Sequence, residues 1–196
     1  MSDALNGLGY GFQAMQSTMR PIIPDVALSG PAYPVCCYAG ATWALECAIE
    51  EAPAGTVLVV DGNHYREAVL MGGLMSLRAR TRGLLGAVID GAVRDISELK
   101  NAAWPVFSTA VTPRAGTHAQ QGVWNTPITC AGVLVSPGDW VIGDNDGVVI
   151  VPKAILNEAL EAARAIKRKE QFLEAALSEG QSLQEAVALW ETSSSK

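Results

Sequence analysis

The sequence is short of basic residues, long apolar runs and paired cysteines, and each shortage argues against a class of function. Lysine and arginine number 14 against 20 aspartates and glutamates, for a net charge of −6 at pH 7. That balance argues against non-specific affinity for nucleic acid or anionic membrane, both of which need basic surface. The one basic run, Lys167-Arg168-Lys169, sits among glutamates and reads as the solvated face of a helix. No stretch approaches the ~20 consecutive apolar residues of a membrane span. The N-terminus, Met1-Ser2-Asp3-Ala4-Leu5-Asn6, lacks a basic region followed by an apolar core, so no secretory signal is legible. Cys36, Cys37, Cys47 and Cys130 form no CxxC pair and no metal-finger spacing. Buried, reduced thiols and a cytoplasmic location are therefore expected, with Cys36 and Cys37 on opposite faces of a strand.

What is present suits a well-packed globule. The chain has 196 residues, 49% of them hydrophobic and 17% charged, and a single domain usually spans ~100–200 residues. Short β-rich runs bounded by Gly, Pro, Asp or Asn occur at Ala32–Tyr38, Thr56–Val60, Gly86–Ile89, Pro105–Thr109, Ile128–Val135, Trp140–Ile142 and Val148–Val151. Helical candidates are Thr42–Glu51, Arg66–Arg82, Ser97–Asn101, a long helix from Pro152 to about Leu177, and Leu183–Trp190. The first half alternates strand and helix, which predicts parallel strands with right-handed crossovers. The second half joins short strands through Ser136-Pro137-Gly138-Asp139 and Asp144-Asn145-Asp146-Gly147, which predicts antiparallel pairing. The expected fold class is α/β, a single-domain sandwich with a mixed sheet. Its expected divisions are a core over 1–152, C-terminal helices over 153–191 packing on that core or on a neighbouring subunit, and a frayed tail over 192–196.

The densest cluster of chemical residues is Asp90-Gly91-Ala92-Val93-Arg94-Asp95-Ile96-Ser97-Glu98. It follows an apolar strand, and in open α/β sheets ligands bind beyond the carboxyl ends of strands. Arg94 sets a fixed cation beside a metal-ligand type of side chain, Asp95, and Glu98 lies one helical turn beyond. The same spacing also describes a capping box, with Asp95 capping a short helix and Glu98 closing it. Spacing alone does not separate the two readings. Upstream, Gly72-Gly73 interrupts the Arg66–Arg82 pattern and marks a break with a new helix starting near Gly73. The free N–H groups of such a start suit a carboxylate or phosphate; close packing of a neighbour on the glycines is the competing explanation. Asp144-x-Asp146-Gly147 reads as a hairpin turn rather than a calcium loop, since no closing Glu follows. His64 and His118 have no partner legible in the sequence.

Gly73, twenty residues, Arg94-Asp95, two residues and Glu98 together match the G-x20-R-D-x2-E/D pattern, and on it the chain resembles the RraA-like family. Further resemblance lies in Ser2-Asp3-Ala4-Leu5, Val57-Leu58-Val59-Val60-Asp61-Gly62, Asn125-Thr126-Pro127-Ile128, Cys130-Ala131-Gly132 and Pro137-Gly138-Asp139, so that it runs from Ser2 to Pro152. That family joins divalent-metal pyruvate aldolases, acting on 4-hydroxy-4-methyl-2-oxoglutarate and 4-carboxy-4-hydroxy-2-oxoadipate, with regulators of ribonuclease E. The resemblance implies a swivelling-domain-like topology, a homotrimer or homohexamer, and an active site at a subunit interface. It implies that the backbone of Gly72, Gly73, Leu74 and Met75 binds a pyruvyl carboxylate and that Arg94 contacts the keto oxygen. It further implies that Asp95 ligates Mg²⁺ or Mn²⁺ and that Glu98 holds water on the metal.

The implied substrate is a small 2-oxoacid. Retro-aldol cleavage of a 4-hydroxy-2-oxoacid and decarboxylation of oxaloacetate both leave pyruvate enolate, for which a hard divalent ion is an electron sink, so no Schiff-base lysine is required. The chain departs from the family where Gly40-Ala41-Thr42 replaces Gly-Asp-Asn and Asp61-Gly62-Asn63-His64-Tyr65 replaces Asp-Gly-Gly-Gly. His64, Tyr65 and Trp124 are accordingly expected near the pocket, where they would bear on substrate choice. The alternative is a non-catalytic oligomeric regulator that binds a protein such as a ribonuclease. Regulators of that type usually lack the Asp after the Arg and the paired glycines, which this chain keeps. A methyltransferase reading finds no glycine-rich nucleotide loop after the first strand.

Overall fold

The computed structural model describes residues 1–194. In chain order the elements begin with α1 (Ser2–Gly7), β1 (Arg20–Pro21), β2 (Leu28–Cys37), α2 (Trp43–Glu51), β3 (Val57–Asp61) and β4 (Val69–Met71). There follow α3 (Gly73–Thr81), β5 (Gly86–Val93), α4 (Ile96–Ala102), β6 (Val106–Val111), β7 (Gly122–Trp124), β8 (Ile128–Cys130) and β9 (Val133–Val135). The chain closes with β10 (Trp140–Asp144), β11 (Gly147–Val151), a 3-10 turn at Lys153–Ile155, α5 (Leu156–Ser178) and α6 (Leu183–Ser194). Two compact units result: Phe12–Ala154, and Met1–Gly11 together with the chain from Ile155 onward.

The larger unit is built on one mixed sheet in the order β1-β6-β5-β3-β2-β10-β11, with β4 added beside β5 and β7 beside β2. β2, β3, β5 and β6 are mutually parallel, whereas β10 and β11 pair antiparallel, as do β8 and β9 in a hairpin of their own. Both faces are covered. Leu58, Val60 and Ile89 face one apolar core and Val57, Val59 and Val88 the other. A strand buried on two faces has no polar side to show, which is why these segments read as continuous apolar runs. Cys37 joins the first core and Cys36 packs against the second, on opposite faces as expected.

The sequence pattern misleads in several places. Residues from Arg66 to Met71 are not helical: Val69-Leu70-Met71 is a buried strand paired with the end of β5. Three large apolar residues ahead of two glycines satisfy either period, and only the partner strand decides. β5 runs four residues past the expected end at Ile89, through Asp90 to Val93, because β4 and β6 supply partners on both sides. Ile128–Val135 is two strands, with Ala131 and Gly132 turning at φ of 46° and 84°. Pro152 does not open α5, since the 3-10 turn intervenes. The short elements α1, β1 and β7 have no counterpart in the sequence pattern.

Trp104 illustrates how the first core is pinned. It is buried, and its indole N–H donates to the Leu84 carbonyl at 2.8 Å. Trp104→Phe keeps most of the apolar area but leaves that carbonyl unpaired, so it is expected to cost about 1–3 kcal/mol. Urea unfolding monitored by far-ultraviolet circular dichroism measures it, and a loss below a few tenths of a kcal/mol would mean that water replaces the indole.

In the smaller unit α1 and α6 both pack on α5, and the Phe172 and Trp190 rings approach to 5.4 Å between centroids. Ser182 and Glu185 form a reciprocal capping box at the start of α6. The helix continues through Thr192 to Ser194, where the sequence suggests fraying; Ser195 and Lys196 lie outside the described residues. Among the described residues no helix is long and apolar enough to cross a membrane.

Candidate active site

The site grows out of the carboxyl end of β5. Between Ile89 and Ala92 the pairing with β6 slips by one residue, and such a bulge redirects the strand beyond it. Buried Asp90 anchors the irregularity. Its Oδ2 accepts the Ala131 N–H at 3.0 Å, its Oδ1 accepts from the His64 ring at 2.7 Å, and the Thr109 hydroxyl donates to the Gly91 carbonyl at 3.1 Å. The chain then turns at Asp95, whose φ of 60° and ψ of 44° are left-handed, a region that Asp tolerates better than most residues.

That turn rules out the capping-box reading. Asp95 stands at the N-cap position of α4, yet its side chain makes no capping bond. Its Oδ2 instead accepts the Gly73 N–H across a gap of 22 residues, at 2.8 Å, and lies 3.5 Å from Arg94 Nε. The two glycines are what permit this. A Cβ on Gly72 would stand 2.6 Å from Asp95 Oδ2 and 3.2 Å from Arg94 Nε, and one on Gly73 would stand 2.5 Å from Glu98 Oε2. Gly72 has φ −130° and ψ −169°, ordinary extended backbone, so it is space and not conformation that demands glycine there. With the Gly73 N–H used by Asp95, the N–H groups of Leu74 and Met75 remain in the first turn of α3, where no helix carbonyl precedes them.

Gly72, Leu74, Met75, Arg94 and Asp95 line one cavity of about 300 Å³. A second, of about 460 Å³, meets it at Leu74 and Asp95 and is lined by Gly73, Glu98 and the exposed face of α3. All seven residues singled out from the sequence therefore converge.

The sequence marked Gly40-Ala41-Thr42 only as a departure from the family and gave no sign that Glu46, Ala115, Gly116 and His118 gather beside it. Thr42, Glu46, Ala115 and Gly116 line the 300 Å³ cavity. The Thr42 hydroxyl donates to Glu46 Oε1 at 2.7 Å, and His118 Nδ1 lies 3.3 Å from Glu46 Oε2. Backbone bonds between Thr42 and Thr117, and between Thr117 and Gly40, sew the two segments together at 2.9 and 2.7 Å. Gly116 lets them meet, since a Cβ there would stand 2.4 Å from the Val69 carbonyl oxygen. The His118–Glu46 contact and the backbone bonds to Thr117 join positions more than 70 residues apart, and no local motif announces them.

His64, Tyr65 and Trp124 are not among the residues lining either cavity. The His64 ring bridges Asp90 and Arg66, with Nε2 2.8 Å from an Arg66 nitrogen; Arg66 can only donate, so the ring proton sits on Nδ1, facing Asp90. Trp124 donates to Glu51 Oε2 at 2.7 Å and packs edge-on against Trp43. Burial pushes the half-buried Asp61 carboxyl above its usual range; the Asn63 N–H opposes that and the Asp90 charge adds to it. Burial likewise pushes the Cys37 thiol up to about 12, which makes it inert as a nucleophile. All four cysteines are free.

A family model described as RraA-like, Aldolase/RraA matches residues 1–150. The chain belongs to the RraA-like family. Among RraA-like relatives, a Halalkalibacterium halodurans protein named "Putative 4-hydroxy-4-methyl-2-oxoglutarate aldolase" is 34% identical over 179 residues, covering 91% of this chain and 83% of its own. An uncharacterized Methanocaldococcus jannaschii protein is 40% identical over 133 residues, 68% of this chain, and the match spans 64% of its length. Among solved structures, the RNA-processing inhibitor RraA from Thermus thermophilis superimposes with a TM-score of 0.70 at 27% identity, covering 78% of this chain and 93% of that one. The mixed α/β sheet is thus the fold of RraA-like proteins.

The donor set bears on which metal these residues fit. Among the described residues no group of three or more His, Cys, Asp and Glu is gathered for a metal ion. A closed zinc centre does not fit such a set. Mg²⁺ or Mn²⁺ does, because Mg²⁺ dehydrates reluctantly and is often held by one or two carboxylates with the rest of its sphere water. Asp95 could supply one such carboxylate oxygen: the Gly73 N–H and Arg94 hold its Oδ2, and Oδ1 lies outside both contacts.

Proposed function

We propose that this protein is a divalent-metal-dependent lyase that forms pyruvate from a small 2-oxoacid, by retro-aldol cleavage of a 4-hydroxy-2-oxoacid or decarboxylation of oxaloacetate. The observation that carries the reading is Asp95, released from capping by a left-handed turn and placed in one cavity with Arg94 and the start of α3. The aldolase names among RraA-like relatives support it.

The roles follow from charge. The Leu74 and Met75 N–H groups, at the positive end of the α3 dipole, bind the 2-oxoacid carboxylate. Arg94 holds the keto oxygen and supplies a fixed positive charge where negative charge develops as the carbon–carbon bond breaks; losing such a donor typically costs ~3–4 kcal/mol of barrier. Asp95 would hold Mg²⁺ or Mn²⁺, with Glu98 beside it against Gly73. When bound there, the ion supplies Lewis-acid stabilisation of the forming enolate.

The test is pyruvate release from oxaloacetate, a 4-hydroxy-2-oxodicarboxylate and a 4-hydroxy-2-oxomonocarboxylate, with Mg²⁺ or Mn²⁺ and then with excess chelator. Turnover of at least one acid that stops with chelator is expected. No turnover on any of the three by a folded protein would overturn the lyase reading in favour of an RraA-type binding protein.

A further inference from the structure

The cavity that holds Arg94 and Asp95 carries a further carboxylate whose place the lyase reading does not explain. Glu46 lines the same 300 Å³ cavity as Arg94 and Asp95. Its Oε1 accepts from the Thr42 hydroxyl at 2.7 Å, so this oxygen acts as an acceptor, and the His118 ring stands against Oε2 on the solvent side, with its side chain 63% exposed. The arrangement is braced by the backbone ladder between Gly40–Thr42 and Thr117, and by the close approach of Gly116 to the Val69 and Gly40 carbonyls. These contacts orient the Glu46 side chain, which is itself 41% exposed.

We infer that Glu46 selects the far end of the substrate: this site prefers 2-oxoacids whose distal end is uncharged and carries a hydrogen-bond donor, such as a hydroxyl, over 2-oxodicarboxylates. The inference rests on the 2-oxoacid reading and deepens it. With the ligand's 2-oxo oxygen at Arg94 and its first carboxylate at the α3 N-terminus, the other end of a four- to six-carbon acid falls within the cavity that Glu46 also lines. A second ligand carboxylate there meets the Glu46 carboxylate, two acceptors of like charge with no proton between them. A hydroxyl donates to the same oxygens. The 4-hydroxy-4-methyl-2-oxoglutarate in the name of the H. halodurans relative is a dicarboxylate, so this chain is expected to differ in substrate from the protein so named.

Two stable acids of equal length isolate the effect, 2-oxopentanoate and 2-oxoglutarate, which differ only in a terminal methyl or carboxylate. Calorimetric titration with Mg²⁺ present should show 2-oxopentanoate binding at least about tenfold tighter, a difference of ~1.4 kcal/mol. Glu46→Gln keeps the shape and removes the charge, and should narrow the ratio to within about threefold by improving the diacid. Glu46→Lys should reverse the preference. Equal or tighter binding of 2-oxoglutarate by the native protein, or a ratio unchanged in Glu46→Gln, overturns the inference. Neither titration depends on turnover. A charge-dependent preference without pyruvate release leaves this inference standing and removes the lyase reading, whereas release with a preference for diacids does the reverse. If neither acid binds, this inference falls, and pyruvate release alone decides the lyase reading.

Discussion

Asp95→Ala is expected to abolish chelator-sensitive pyruvate release, a loss of at least about 10³-fold, because a metal held by one carboxylate has no alternative ligand and its charge stabilisation is worth several kcal/mol. The fold should survive. The Asp95 side chain is about one-third exposed and caps nothing; its bonds go to Gly73 and Arg94 within the site. Stability should fall by about 1–2 kcal/mol, from one lost hydrogen bond and from Ala being less at ease than Asp at φ 60°. Asp95→Asn separates the causes, since it keeps the size and the tolerance of the left-handed turn but removes the charge. It should be as inactive as Asp95→Ala while melting close to the native protein. Pyruvate release and thermal melting of both variants decide the matter, and native-like turnover by either would remove Asp95 from the chemistry.

Gly72→Ala should reduce turnover by about 10²-fold, the scale of a 1 Å misplacement of reacting groups, with little loss of stability. The extended backbone at Gly72 accepts any residue, so alanine adds no backbone strain. Its methyl would instead stand 2.6 Å from Asp95 Oδ2, closer than packed atoms come, and a tight 3.2 Å from Arg94 Cγ and Nε, and it is the side chains that must give way. The expected signature is a fall in kcat with the melting temperature within a few degrees of native. A large melting loss with kcat per folded molecule preserved would make Gly72 a packing residue only.

Much of the framework is decided by local pattern. Val57-Leu58-Val59-Val60 and Gly86-Ala87-Val88-Ile89 have no polar face, and only strands covered on both sides accommodate such runs, so the parallel centre of the sheet is legible from the chain itself. The family resemblance carried by Gly73, Arg94-Asp95 and Glu98 likewise marked residues that meet, which their spacing alone left open between a cap and a site. Tertiary structure alone decided the rest. Val69-Leu70-Met71 is a strand because β5 offers it a partner. Asp95 does not cap α4, because a bulge and a left-handed turn aim its carboxylate at Gly73. Glu46 and His118 face each other because two distant segments are joined by backbone hydrogen bonds that could form only where Gly116 leaves room. Periodicity reports which side of an element is buried, but contacts between distant segments depend on where the sheet puts them, and that information is in no local window of the sequence.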